Sequence, residues 1–288
     1  MSSSLFVTLL LNALSLAALL FFVASGLTLI FGLMNVVNLA HGAFYLLGGF
    51  LGLSVIRATG NFWLGMVAGG LGVAAFGFLT EQFLMRRVRG QELPEVLLTL
   101  GLALVISDQA SVIWGSGTSI IEQPGYLSGV MDLNGVLYSR YRLFVIACAV
   151  VVGAALFFLH KRTRWGGLVR AGVDDREMVS GLGINIERVF AGTFVVGAAL
   201  AGFGGVVGGA ILGLQPGGDE VEILLRTLAV IIIGGVGSLT GAVLGSVFIG
   251  LVSVFGQTLV PELSFFLLFA PMALVLVLKP QGLLGKPA

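Results

Sequence analysis

Residues 8–33 read TLLLNALSLAALLFFVASGLTLIFGL, a stretch without a single charged side chain. A helix of about 20 apolar residues crosses the roughly 30 Å hydrocarbon core of a bilayer, so this stretch alone is long enough to span. Further apolar runs fall at about residues 38–57, 62–85, 95–114, 141–160, 188–212, 223–237, 240–256 and 263–278. They are continuous rather than alternating, and lipid leaves a backbone only helices or closed barrels, so strands are not expected. The predicted fold class is all-α: a polytopic transmembrane helical bundle of about eight to nine spans, some short or broken, forming one domain over residues 1–288.

Composition agrees and narrows the function. The chain is 57% hydrophobic and 10% charged, against about 25% charged for a soluble domain. Fifteen basic and fourteen acidic residues nearly cancel, which argues against a nucleic-acid partner. Cys148 is alone, excluding an internal disulfide or a thiolate cluster, and His41 and His160 lack zinc-site spacing. No catalytic residue, metal or cofactor is expected. The N-terminal MSSSLFVTLLLNALSLAALLFFVASG has no basic leader before its apolar run, so it reads as a retained first helix rather than a cleaved signal.

The placement of charge sets the orientation. Arg86, Arg87 and Arg89 fall in one interruption, Lys161, Arg162, Arg164, Arg170, Arg176 and Arg188 in or beside another, and Lys279 and Lys286 follow the last run. By the positive-inside rule these regions are cytoplasmic. The Gly115–Tyr141 loop and the acidic segment with Asp219, Glu220 and Glu222 are then periplasmic. Nine crossings place the C-terminus in the cytoplasm and the N-terminus outside, in a bacterial inner membrane.

Two further patterns organise the chain. NVVNLAHGAFYLLGGFLGLSV at 35–55 resembles GGVGSLTGAVLGSVFIGLVSV at 234–254, either a parallel internal repeat or a shared composition of glycine-rich helices. Glycines recur at small-xxx-small spacing, as in Gly48 with Gly52, Gly65 with Gly69, and Gly205 with Gly209, which predicts close helix packing.

Polar groups inside apolar runs are few. Asn35, Asn38 and His41 interrupt MNVVNLAHGAFY at 34–45. If that segment is helical they form a stripe, either facing a translocation path or hydrogen-bonding within the bundle. Asp108 is expected to be structural or at a helix mouth, not a proton relay, and Glu222 with Arg226 has the i,i+4 spacing of an ion pair. The loop HKRTRWGGLVRAGVDDREMVSGLGINIERVFAGTF at 160–194 contains a capping-box pattern, Asp174 with Glu177. It predicts a short helix starting near Asp174, ending near Gly181 or Gly183, with Asn185 capping the next span.

The strings RAGVDDREMVSGLGINIERVF, VVNLAHGAFYLLGGF, IIIGGVGSLTGAVLGSVFIGL and KPQGLLG together resemble the permease subunits of branched-chain amino acid ABC importers, the LivH type. The resemblance covers nearly the whole chain, with Gly172 and Val173 as a mild departure. It implies that Asp174, Asp175, Arg176, Glu177, Met178, Val179, Gly181, Leu182, Gly183 and Ile184 form the coupling helix that contacts an ATPase. It also implies two ATP-binding subunits, a second homologous permease subunit and a periplasmic substrate-binding protein as partners, with membrane lipid around the bundle. No G-x-x-x-x-G-K-[ST] occurs, and GGVGSLTG at 234–241 lacks the lysine, so ATP hydrolysis belongs to a separate chain. The expected function is translocation of branched-chain or related hydrophobic amino acids, without covalent chemistry. The alternative from another class is an ion-coupled secondary transporter or channel for small polar solutes, against which the scarcity of mid-span carboxylates argues.

Overall fold

Nearly every apolar run becomes a helix, because in lipid only intrahelical bonding satisfies the backbone within one segment. The structure, a computed structural model, describes residues 3–34, 37–133, 135–279 and 281–285, and only the backbone of Asp174, Arg176, Glu177, Ser264, Phe265 and Leu268. Among the described residues seven helices are long and apolar enough to cross a membrane: α1 Ser3–Met34, α2 His41–Thr59, α3 Phe62–Val88, α4 Glu92–Trp114, α5 Arg140–Arg162, α8 Ile186–Gly209 and α10 Leu239–Leu259. Two of the expected crossings are shorter helices: α9, Asp219–Gly234, has 16 residues, and α11, Ser264–Leu278, has 15 and contains Pro271. Two more short helices, α6 Arg164–Asp174 and α7 Arg176–Gly181, lie in the basic loop.

One expectation is corrected. A two-stranded antiparallel hairpin pairs β1, Val130–Leu133, with β2, Val136–Ser139. It lies outside the apolar runs, where water rather than lipid surrounds the backbone and the argument against strands does not apply. The sequence there carries Asn134-Gly135, a strong short-range hairpin dipeptide.

The two ends of the bundle differ in chemistry. The start of α8 meets the end of α3 through Glu187 and Arg89, Leu33 of α1 packs with Val169 and Val179 of the basic loop, and Gly32 approaches Gly237. The tail joins the same end: Leu283 and Leu284 donate their N–H groups to the carbonyls of Ile233 and Gly234, at 2.8 and 3.0 Å. These bonds satisfy acceptors that the end of α9 would otherwise leave free. All three arginine- and lysine-rich regions thus converge on one end, and the hairpin marks the other.

Glycine seams hold the centre. A Cβ on Gly26 of α1 would lie 2.5 Å from the carbonyl oxygen of Gly197 in α8, and one on Gly48 of α2 would lie 2.2 Å from Cα of Gly202. Contacts this close need backbones without intervening side chains. The two echoing segments become α2 and α10, of 19 and 21 residues, and both run from the basic end toward the hairpin end.

Candidate functional site

Three places among the described residues bear on the polar groups singled out in the sequence. The first is the start of α2. Residues 37–40 are not helical, and the helix begins at His41, so the premise of a helical Asn35–Asn38–His41 stripe does not hold. Asn35 lies outside the described residues. Asn38 is 1% exposed, and its Oδ1 accepts the N–H of Ala40 at 3.0 Å. His41 is fully buried, with Nε2 2.9 Å from the carbonyl oxygen of Val23. Val23 precedes the end of α1 by eleven residues, about 16 Å along the axis, so α2 starts deep in the bundle.

A second helix starts beside it. A Cβ on Gly42 would lie 1.9 Å from the carbonyl oxygen of Glu220, so the first turns of α2 and α9 touch. The Glu220 carboxylate accepts the Ser107 hydroxyl and, at 3.1 Å, the N–H of Gly217. Asp108, the neighbour of Ser107, is exposed on the flank of α4.

Next to these helix starts lies a cavity of about 450 Å³, between the hairpin-side halves of α1 and α10, Tyr45 of α2, the first turn of α5, and α9. Its polar lining includes Asn12, Ser15, Arg142, Asp219, Glu222 and Arg226, with Gln257 and Thr258 of α10 at the edge. Arg226 is ion-paired with Glu222, as their spacing suggested. Arg142 Nη1 donates to Oδ1 of Asn12 at 3.0 Å, and Asp219 Oδ2 accepts the N–H of Gln215 at 2.7 Å. The acidic segment therefore divides: Asp219 and Glu222 line the cavity, whereas Glu220 is buried. Neither Asn38 nor His41 lines it.

The third place is the basic loop. α7 forms where the capping pattern predicted a short helix, but its cap is Asp175, not Asp174: Asp175 Oδ1 accepts the N–H of Met178 at 2.9 Å. Asp174 is instead the last residue of α6, so the chain first becomes extended at Asp175 (φ −155°, ψ 100°). Gly183 is left-handed at φ 79°, and Asn185 caps α8 by accepting the N–H of Arg188, both as expected. Val179 is 3% exposed against Val169, Leu33 and Phe190, whereas Met178 and Leu182 are 63% and 72% exposed. The backbone alone is described at Asp174, Arg176 and Glu177; Gly181, Gly183 and Ile184 complete the segment.

Sequence reading missed two features here. α6 carries Trp165, Leu168, Val169 and Gly172 at helical spacing, a pattern obscured by Gly166 and Gly167. A buried ion cluster also joins α3 to α8: Arg89, 6% exposed at its side chain, pairs with Glu81, 2% exposed, and with Glu187. Arg86 Nε reaches Glu187 at 3.4 Å, and the Arg89 guanidinium stacks 4.4 Å above the Phe190 ring. Glu81 opens a π-helical turn, Glu81–Met85. Its one sequence signal was a carboxylate inside an apolar run.

Crossing-length helices, a charged and partly open cavity near one end and a capped loop at the other together fit a membrane transport protein. Residues 9–276 match the family described as the branched-chain amino acid transport system permease component. The chain is 29% identical to the high-affinity branched-chain amino acid transport system permease protein BraD of Pseudomonas aeruginosa, over 96% of this chain and 95% of that one. It is 27% identical to LivH of Escherichia coli K12, over 96% and 94%, and 27% identical to LivM of Salmonella typhimurium, over 90% and 66%. No solved structure gives a significant match. The chain belongs to the branched-chain amino acid transport system permease family.

Proposed function

We propose that this chain carries branched-chain or related hydrophobic amino acids across the bacterial inner membrane, powered by two separate ATP-binding subunits that dock on its basic loop. It crosses the membrane eight or nine times, with α9 and α11 as short crossings, and its C-terminus is cytoplasmic. It forms no covalent bond with its cargo and is not an enzyme. A second homologous permease chain pairs with it, a reading supported by relatives that carry two names, LivH and LivM. A periplasmic substrate-binding protein delivers the amino acid.

The segment from Asp174 to Ile184 is the coupling element. The observation that carries this assignment is the exposure of Met178 on α7 and of Leu182 just past its end, while Val179 between them is anchored in the bundle. An apolar pair projecting from an arginine-rich end suits a protein cleft better than water. Desolvated apolar anchors of this kind carry much of an interface's binding energy.

Copurification of the detergent-solubilised importer tests it. Met178→Asp combined with Leu182→Asp is expected to lower ATPase retention at least about tenfold, since truncating hot-spot residues costs about 2 kcal/mol or more each. Yield and insertion of the permease should not change, because both side chains project away from the bundle. Wild-type retention by the double variant removes the coupling assignment. A wild type that holds no ATPase, yet transports an amino acid in vesicles by itself, replaces the importer with a secondary carrier.

A further inference from the structure

The cavity between α1, α5, α9 and α10 contains two acidic and two basic side chains, and they are not equivalent. Glu222 and Arg226 neutralise each other as a pair. Arg142 is bonded to the neutral amide of Asn12, and Asp219 to the backbone N–H of Gln215. Neither of those contacts cancels a charge. One positive and one negative group therefore remain on opposite elements of the same cavity.

Arg142 is also misplaced if its role is only structural. It lies in the first turn of α5, which holds no acidic residue, and a cation at a helix N-terminus opposes the helix dipole by roughly 0.3–1 kcal/mol. A ligand anion at that position relieves the conflict. Ser15 adds a buried hydroxyl on the cavity wall, next to the Tyr138 hydroxyl that Arg142 also reaches. The remaining wall is apolar, with Leu16, Leu19, Ile223 and Val254 among its residues. A volume of about 450 Å³ lies within the roughly 300–1,000 Å³ of small-molecule sites.

We propose that this cavity holds the transported amino acid as a zwitterion, with its carboxylate toward Arg142 and Ser15, its ammonium toward Asp219, and its side chain against Leu16, Leu19 and Ile223. The proposal rests on the importer reading and specifies where in the chain the cargo sits. A net-neutral cavity with separated charges selects against simple anions and simple cations, each of which leaves one half-buried charge uncompensated. It also accounts for the location of the cavity beside the starts of α2 and α9, since binding sites in transporters gather where helices begin inside the membrane.

The test is photolabelling of the assembled importer in membrane vesicles with a diazirine analogue of leucine, mapped by mass spectrometry. Three competitors are compared: leucine, 4-methylpentanoate, which lacks the ammonium, and 3-methylbutylamine, which lacks the carboxylate. The expected result is labelling within residues 9–19 and 219–226 that leucine suppresses at least about tenfold better than either half-molecule, as loss of one charged hydrogen bond implies. In Arg142→Gln the amine should compete as well as leucine. In Asp219→Asn the acid should do so, while Arg142→Lys keeps the wild-type ranking. A merely structural role for these residues would lower labelling without reordering the competitors, and that result overturns the proposal. Leucine-suppressed labelling confined to another region, such as that around Asn38 and His41, also overturns it and leaves the importer reading intact. No leucine-suppressed labelling anywhere removes both the site and the amino-acid cargo.

Discussion

Arg89→Ala should lower the thermal inactivation midpoint of the detergent-solubilised protein more than any other single charge removal at the basic end. The side chains of Arg89 and Glu81 are 6% and 2% exposed, so truncating the arginine strands a carboxylate in a nearly anhydrous site. Breaking a buried ion pair from one side costs about 3–5 kcal/mol, because the surviving charge keeps its desolvation penalty and loses its partner. Glu187 loses the same partner, and Phe190 loses the guanidinium stacked above it. Arg89→Lys should lose less in total, though more than a conservative exchange suggests, because one ammonium cannot match the fork of a guanidinium facing two carboxylates. Replacing Arg89 and Glu81 together by leucine should recover much of the loss, since no fully buried carboxylate is then stranded and Glu187, 35% exposed at its side chain, keeps Arg86. An unchanged midpoint for Arg89→Ala would mean that water reaches the cluster and the pair is not buried in the working protein.

The second large effect concerns the seam between α2 and α8. A Cβ on Gly205 would sit 1.8 Å from the carbonyl oxygen of Tyr45, and this obstacle is backbone, which cannot rotate aside. Gly48 faces the backbone of Gly202 in the same seam. Gly205→Ala or Gly48→Ala must therefore push two helices apart. Overpacking of this kind typically costs about 1–3 kcal/mol, and more where the obstacle is main chain. Either variant is expected to cut the yield of monodisperse protein severally in size-exclusion chromatography. Gly101→Ala supplies the control: it is also helical, it has no atom within 4 Å of the added Cβ, and it gains helix propensity of roughly 0.8–1 kcal/mol. If all three variants behave alike, the seam is not the close contact described, and helix propensity alone governs them.

Much of the basic loop was legible in the sequence. The cap at Asn185 and the left-handed Gly183 follow from local rules, in which a side chain or a missing Cβ satisfies its own neighbourhood. The cap of α7 moved by one residue, from Asp174 to Asp175, because α6 continues through Asp174. Two adjacent aspartates offer the same capping chemistry. The choice between them depended on a helix whose periodicity Gly166 and Gly167 obscured.

The start of α2 gives the converse case. Asn35, Asn38 and His41 stood out as rare polar groups in an apolar region, and helical periodicity placed them on one stripe. The helix begins instead at His41, and Asn38 bonds the backbone just before it. A polar side chain in a membrane segment announces that it needs a partner. It does not indicate whether that partner is cargo, a neighbouring helix or its own main chain.

By itself the sequence determined the membrane class, the helical character and the charge-marked end of the bundle. Each depends on a local requirement: in lipid every backbone group must be satisfied within its own segment, and clustered cations stay on one side. The tertiary structure alone decided which polar groups meet. Asn12 and Arg142 lie far apart in the chain, as do Ser107 and Glu220, and Arg89 and Glu187. Their pairing is set by how closely the glycine seams allow the helices to approach, and backbone proximity between distant segments leaves no period in the sequence.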